Sequence, residues 1–237
     1  VLNAYVKPTA NSYIDNLSNK LSEFDIQENR YIMQSNGGVT TFENAKNIPI
    51  NMVESGPVAG IFGAAILGKM IGEENIIAFD IGGTTAKCSL ISDGEVKVST
   101  NYYIEKSEKT AGYPIKVPVV DIVEIGNGGG SIAWIDEIGS LKVGPQSAGS
   151  LPGPVAYGQG GTLPTTTDAN LFVGRLSGKN FDYEVDMEKV KAAIDENVAK
   201  PFQTSTEEGA LGIIDIANSN MLNALKLISV RKGYDPQ

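Results

Sequence analysis

The stretch NIIAFDIGGTTAKCSLISDGEVKVS, residues 75–99, decides the fold. Asn75 to Asp80 is an apolar run of strand length, and Ile81-Gly82-Gly83-Thr84-Thr85 is a tight polar turn. Lys87 to Ser92 reads as a second strand. Asp93-Gly94 is the strongest short hairpin signal, and Glu95 to Ser99 alternates as a third strand. The pattern predicts a three-stranded antiparallel meander whose first turn is the glycine–threonine loop.

That loop has a specific chemistry. Gly82 and Gly83 let backbone N–H groups face an anion with no Cβ in the way. Thr84 and Thr85 add hydroxyl donors. Asp80, at the end of the preceding strand, is placed to hold a hydrated Mg²⁺ or to orient a water. The loop is not of the G-x-x-x-x-G-K-[ST] type, and a strand follows it rather than a helix, which also excludes a dinucleotide fingerprint.

Outward from the loop, Pro8 to Phe24 has apolar residues at helical spacing, and Arg30 to Gln34 reads as a short buried strand closed by Asn36-Gly37-Gly38. Ser55 or Gly56 can cap a helix with Pro57 in its first turn. Gly56, Gly60, Gly63 and Ala64 would give that helix one small-residue face for close packing on a sheet or, at the helix start, an approach to phosphates. Residues 111–164 are rich in Gly and Pro. They hold the Gly126-Asn127-Gly128-Gly129-Gly130-Ser131 loop, a hairpin (Ile132 to Ile135, Leu141 to Val143) and a long loop from Gly144. Thr167 and Asp168 can cap a short helix through Leu176. Asp186 to Val198 is an amphipathic helix ended before Pro201. Ser205 and Glu208 make a capping box for a long buried helix with Arg231 and Lys232 in its last turn and Gly233 as C-cap. Residues 1–74 are expected to pack on an ATPase lobe spanning 75–237, with a β-rich, loop-rich insertion at about 101–164.

Composition removes several classes of function. Among 237 residues there is no histidine, so no Ser-His-Asp triad, Cys-His pair or histidine metal site exists within the chain. A net charge of −9 argues against a nucleic-acid interface, and the single Cys88 excludes a disulfide framework. Val1 opens into NAYVKP with no signal-peptide pattern. The apolar stretch Ser55 to Gly68 falls short of the roughly 18–20 residues of a membrane span, so a cytoplasmic setting without a membrane is expected. The absent initial Met suggests a piece of a longer protein.

A strand–(D-x-G-[GT]-T)–strand turn resembles the phosphate loops of the actin, sugar-kinase and heat-shock-chaperone ATPases. The wider set of motifs is similar to the hydantoinase A/5-oxoprolinase family. It comprises Met33 to Gly38, Ser55-Gly56-Pro57, the Asp80 loop, Ile125 to Ala133, Val143-Gly144-Pro145 with Ser147-Ala148-Gly149, Pro152-Gly153-Pro154 with Tyr157-Gly158, Thr167-Asp168-Ala169-Asn170, and Arg231 to Pro236. This resemblance implies a ribonuclease-H-like α/β lobe that binds ATP and Mg²⁺ and works with a hydantoinase B-type partner subunit. It implies phosphate contacts from Gly82, Gly83, Thr84 and Thr85, with Gly128, Gly129, Gly130 and Ser131 beside the cleft, and Asp80 as the catalytic and metal-holding carboxylate. The implied reaction phosphorylates and opens a cyclic amide. The alternatives are a ketone carboxylase subunit and a nucleotide-gated module without chemistry. The family's other D-x-G-G-T loop and its adenosine segment lie outside these residues, so the isolated piece is expected to be inactive.

Two positions depart from the family pattern. Lys87 stands where the family has an acidic residue, and it would either pair with phosphate or mark a divergent member. Asn127 stands where alanine is usual. Of the other candidates, Asp121 and Glu124 can act as acid or base but read more simply as solvated carboxylates. Asp168 reads as a helix cap, Cys88 as a core residue, and Trp134 and Tyr157 as packing or loop anchors.

Overall fold

A computed structural model describes residues 1–26, 28–104, 110–181, 184–230 and 233–234. In chain order, α1 (Leu2–Glu23) leads to β1 (Tyr31–Met33), β2 (Val39–Thr41), α2 (Phe42–Asn47) and α3 (Ser55–Ile71). Then come β3 (Ile76–Ile81), β4 (Ala86–Ser92), β5 (Glu95–Val96), β6 (Val98–Ser99), β7 (Tyr102–Ile104), β8 (Tyr113–Ile115), β9 (Val119–Val120) and β10 (Val123–Ile125). The hairpin β11 (Ser131–Ile135) and β12 (Leu141–Ser147) precedes α4 (Thr166–Phe172), α5 (Met187–Ile194), α6 (Lys200–Phe202) and α7 (Thr206–Ile228). The class is mixed α/β. Two compact units are formed, one from Val1–Ala78 with Ser89–Ile122 and the other from Phe79–Cys88 with Val123–Gln237.

In the first unit, α3 lays Val58 and Ile61 against Ala78, Ile91 and Val120, all buried. Pro57 sits in the first turn of α3 as expected, but the N-cap is Glu54, in the left-handed region at φ 58°, rather than Ser55 or Gly56. The small-residue face is a correction. Among the described residues, nothing beyond the helix's own backbone and the adjoining residues lies within 4 Å of where a Cβ would sit at Gly56, Gly60 or Gly63. The side that packs carries Val58 and Ile61, with Phe62, Ala64 and Ala65 beside them, whereas the branched Ile66, Leu67 and Ile71 of the same helix are exposed. Helix α1 starts at Leu2 rather than Pro8. Although Pro8 removes one helical hydrogen bond, Asn3 anchors the first turn by donating to Asn47 O (3.3 Å) and accepting from Ile50 N (3.2 Å). The strand at 31–33 pairs antiparallel with Val39–Thr41, a partner the sequence reading lacked, and it is half-buried rather than buried.

The meander is shorter than expected. Asp93 and Gly94 both take positive φ (54° and 74°), as a two-residue hairpin of this type requires. Only Val96 and Glu95 pair with β4, opposite Ile91 and Ser92. The third strand breaks there because Val98–Ser99 pairs instead with Val119–Val120, which buries both of those valines. At the other end of β4, β10 pairs antiparallel with Ala86 to Cys88.

In the second unit, α4, α5, α7 and the β11–β12 hairpin enclose a core that includes Ala133, Val143, Val155, Ala169, Val190, Ile194, Ile213 and Ala217. Both expected features of this region, the hairpin and the Ser205–Glu208 capping box, are present. Three helix ends move. Thr165 caps α4, which stops at Phe172; the helix from Met187 continues through a π turn (Asp195–Ala199) and past Pro201 to Phe202; and α7 ends at Ile228 rather than at Gly233. A π turn widens the backbone, which eases the clash of a proline ring with the preceding turn. Arg231, Lys232, Asp235 and Pro236 lie outside the described residues. No helix among the described residues is long and apolar enough to cross a membrane.

Candidate functional site

Every residue of the site belongs to the second unit. The turn between β3 and β4 is closed by Gly82 N–H donating to Thr85 O (2.9 Å). Gly82, Gly83 and Thr84 are exposed and Thr85 is half-buried. Among the described residues, the amides of Gly83, Thr84 and Thr85 and the two threonine hydroxyls have no protein partner. Asp80 is exposed at the end of β3, and among the described residues its carboxylate has no hydrogen-bond or ion-pair partner. Three unpaired consecutive amides beside a carboxylate are a donor set suited to a phosphoryl group.

The second glycine loop holds this turn from behind. Gly129 N–H donates to Gly82 O (3.0 Å) and Gly130 N–H to Gly83 O (2.6 Å). With those carbonyls pinned, the remaining amides of the turn are left for other acceptors. The approach is backbone on backbone: a Cβ on Gly128 would stand 2.6 Å from Gly82 O and 2.8 Å from Gly83 C. Gly128 N–H donates to Ser131 Oγ (2.8 Å), and Ser131 N–H returns to Gly128 O (3.1 Å). The amides of Gly128 to Ser131 are thus engaged inside the protein.

Two further segments complete the support. Thr167 N–H donates to Gly129 O (2.7 Å) and Ala148 N–H to Gly130 O (2.8 Å). Thr167 is held by α4, whose cap is a reciprocal box between Thr165 and Asp168. Asp168 is fully buried. Its carboxylate accepts from Val155 N (3.2 Å), Ala156 N (2.8 Å), Thr165 N (2.9 Å) and Thr165 Oγ1 (2.8 Å). Burial pushes its pKa up, against the downward pull of these hydrogen bonds. The capping role expected of Asp168 holds. Thr165 was missed, although T-x-x-D is the sequence signature of such a box. Ser147 was also missed as an individual residue. It ends β12, where its Oγ accepts from Gly149 N (3.1 Å) and lies 3.5 Å from Gly83 O.

The remaining candidates resolve simply. Lys87 lies directly across from Glu124 on the paired strands, and Lys87 Nζ is 3.4 Å from Glu124 Oε1, so the cation that departs from the family pattern is matched within the protein. A double-mutant cycle of Lys87→Met and Glu124→Gln is expected to give a coupling of about 0.5–1 kcal/mol in denaturant unfolding; zero coupling would mark the pair as passive. Cys88 is buried, with Sγ 3.7 Å from Ala224 O. Asp121 belongs to the first unit, where its backbone is tied to Lys97 and Ser89. Asn127 is buried and donates to Ala217 O (3.1 Å). Trp134 Nε1 anchors the hairpin at Gly144 O (2.9 Å), and Tyr157 packs against Phe181 at 5.9 Å between ring centroids. Among the described residues no three carboxylates or thiols converge as a metal cluster. Mg²⁺ needs only one or two carboxylates when phosphate oxygens and water fill its other positions, so Asp80 beside the open amides fits such a site.

Residues 1–237 match the family described as Hydantoinase/oxoprolinase. An uncharacterised protein of Methanocaldococcus jannaschii is 40% identical, with 100% of this chain aligned to 36% of that protein. The caprolactamase subunit alpha of Pseudomonas jessenii is 35% identical over 100% of this chain and 34% of its own length. The 5-oxoprolinase of Saccharomyces cerevisiae is 34% identical over 99% of this chain and 18% of its own. The nucleotide-free structure of acetone carboxylase, a protein of ATP-dependent acetone carboxylation, superposes with a TM-score of 0.81 at 28% identity, covering 96% of this chain and 31% of that one. The chain therefore spans about a third of the length of the first of these relatives.

Proposed function

Because the chain belongs to the hydantoinase/oxoprolinase family, we propose that it forms the phosphate-binding part of an ATP-dependent enzyme that opens a cyclic amide. The observation that carries this reading is the turn at 82–85, with its carbonyls pinned by Gly129 and Gly130 and its amides at Gly83 to Thr85 left open. In this reading the lobe is ribonuclease-H-like, as in the actin-type ATPases, and acts in the cytoplasm. Gly82, Gly83, Thr84 and Thr85 hold phosphate directly. Gly128, Gly129, Gly130 and Ser131 act on it through the turn they support. Asp80 holds Mg²⁺ or a water.

Two relatives are named for lactam substrates, caprolactamase and 5-oxoprolinase, and this favours a ring amide over an open-chain one. An amide carbon is a poor electrophile. Transfer of the terminal phosphoryl of ATP to the carbonyl oxygen forms a P–O bond and releases ADP. Water then adds at carbon, the C–N bond breaks as nitrogen takes a proton, and a second water hydrolyses the acyl phosphate. For this chain the task is positioning and charge stabilisation. Asp80→Ala in the full-length protein with its partner subunit is expected to lower ATP-dependent ring opening by about a hundredfold or more. Unchanged turnover would overturn the assignment, and the isolated residues 1–237 are expected to be inactive.

The fit to acetone carboxylase supports a second reading. A ketone carboxylase would phosphorylate an enolate before adding CO₂. ATP turnover that requires bicarbonate and a ketone, and is silent to lactams, would favour it.

A further inference from the structure

Asp80 and Glu124 stand on either side of one lysine. The bond from Gly82 N–H to Thr85 O (2.9 Å) joins two residues separated only by Gly83 and Thr84. Counting outward from that pair along the neighbouring strands β3 and β4 sets Ile81 opposite Ala86 and Asp80 opposite Lys87. On the other edge of β4, Lys87 is opposite Glu124. Directly opposed residues project from the same face of a sheet. Asp80, Lys87 and Glu124 therefore form a row across β3, β4 and β10, with the cation in the middle. The Lys87 side chain is 19% exposed, and its Nζ lies 3.4 Å from Glu124 Oε1. Asp80 is exposed at the other end of the row, and among the described residues no ion pair joins it to Lys87. A lysine stem is flexible enough to serve either neighbour. In this fold the ammonium goes to Glu124, and Asp80 keeps its charge for another cation.

We propose that Glu124 is a positioning residue for the metal: by holding Lys87, it keeps the Asp80 carboxylate open to Mg²⁺. The inference rests on the reading of Asp80 as a Mg²⁺-holding carboxylate. With the charge on Glu124 removed, the carboxylate remaining in the row is Asp80, at a cross-strand Cβ spacing of about 4.5–5.5 Å from Lys87. An ammonium there would occupy the oxygens that Mg²⁺ needs and repel the dication. Lys87 is then a competitor of the metal, and Glu124 removes the competition.

The test titrates Mg²⁺ into the full-length protein with β,γ-imido-ATP and reads nucleotide binding at equilibrium. Glu124→Gln should raise the Mg²⁺ concentration at half-saturation about fivefold. Glu124→Asp, which keeps the charge, should stay close to wild type. Lys87→Met, alone or combined with Glu124→Gln, should need no more Mg²⁺ than wild type. This rescue separates the proposal from a structural or long-range electrostatic role of Glu124, whose loss would persist in the double variant. Persistence there would overturn the proposal, as would an unchanged Mg²⁺ requirement in Glu124→Gln. Asp80→Ala tests the premise. A wild-type Mg²⁺ requirement that survives this substitution would overturn the reading of Asp80, and the role of Glu124 with it.

Discussion

Gly128→Ala is expected to cost about 3 kcal/mol of stability and to abolish nucleotide binding in the full-length protein. The added methyl would stand 2.6 Å from Gly82 O and 2.8 Å from both C and O of Gly83. These are backbone atoms, so no rotamer change relieves the clash; the two loops must separate. Separation breaks the hydrogen bonds from Gly129 and Gly130 that pin the Gly82 and Gly83 carbonyls, and the open amides then lose their common direction. Gly60→Ala is the matched control. It lies inside α3, and among the described residues nothing beyond its own helix comes within 4 Å of the new methyl, so replacing this exposed helical glycine should be neutral or stabilising by up to about 1 kcal/mol. Denaturant unfolding of both variants, with imido-ATP binding alongside, reads the contrast. A Gly128→Ala protein as stable as Gly60→Ala, and binding normally, would show that the loop contact does not set the turn.

The second large effect belongs to Asp168. Asp168→Ala should lower stability by about 3–5 kcal/mol, because it strands three buried amide donors and one hydroxyl at once. Asp168→Asn should recover only part of this, since one end of a carboxamide offers donors to groups that are themselves donors. The pH dependence has a definite sign. Burial holds the folded pKa above the ordinary carboxylate value. Between the unfolded and folded values the folded state binds the extra proton. This contribution is fully present below the unfolded pKa and is lost as pH rises through the folded one. The stability margin of wild type over Asp168→Asn should therefore shrink as pH increases across that window. A margin that grows would mean that the four hydrogen bonds outweigh burial. Thr167, one residue before Asp168, carries Gly129, which in turn holds Gly82, so damage at the α4 cap should also loosen the turn at 82–85.

Several features were legible because their causes are local. The Asp93-Gly94 turn needs positive φ at both residues, and that demand is written in the dipeptide. The same holds for the Ser205–Glu208 box, in which the two partners are three residues apart. T-x-x-D at 165–168 carries an equally local signal, but the sequence reading placed the cap at Thr167, two residues past the observed Thr165. The end of the third strand was not legible, because Val98 and Ser99 choose between β4 and a segment some twenty residues further on. The face that α3 buries was not legible either: an apolar helix with branched residues on more than one side has no periodicity that says which side meets the core.

For the site, the residues alone determined that a glycine–threonine turn between two strands, preceded by a carboxylate, would exist, and that the chain would have no histidine chemistry to compete with it. They also set out Gly126 to Ser131 as a glycine-rich loop, whose amides have few side chains around them. Where those amides point was decided only by tertiary structure. Gly82 and Gly130 are almost fifty residues apart, and an amide's acceptor is set by whichever carbonyl the fold brings within about 3 Å. The fold gives the amides of Gly129 and Gly130 to the carbonyls of Gly82 and Gly83. It thereby makes one glycine loop the support and leaves the other open to a ligand.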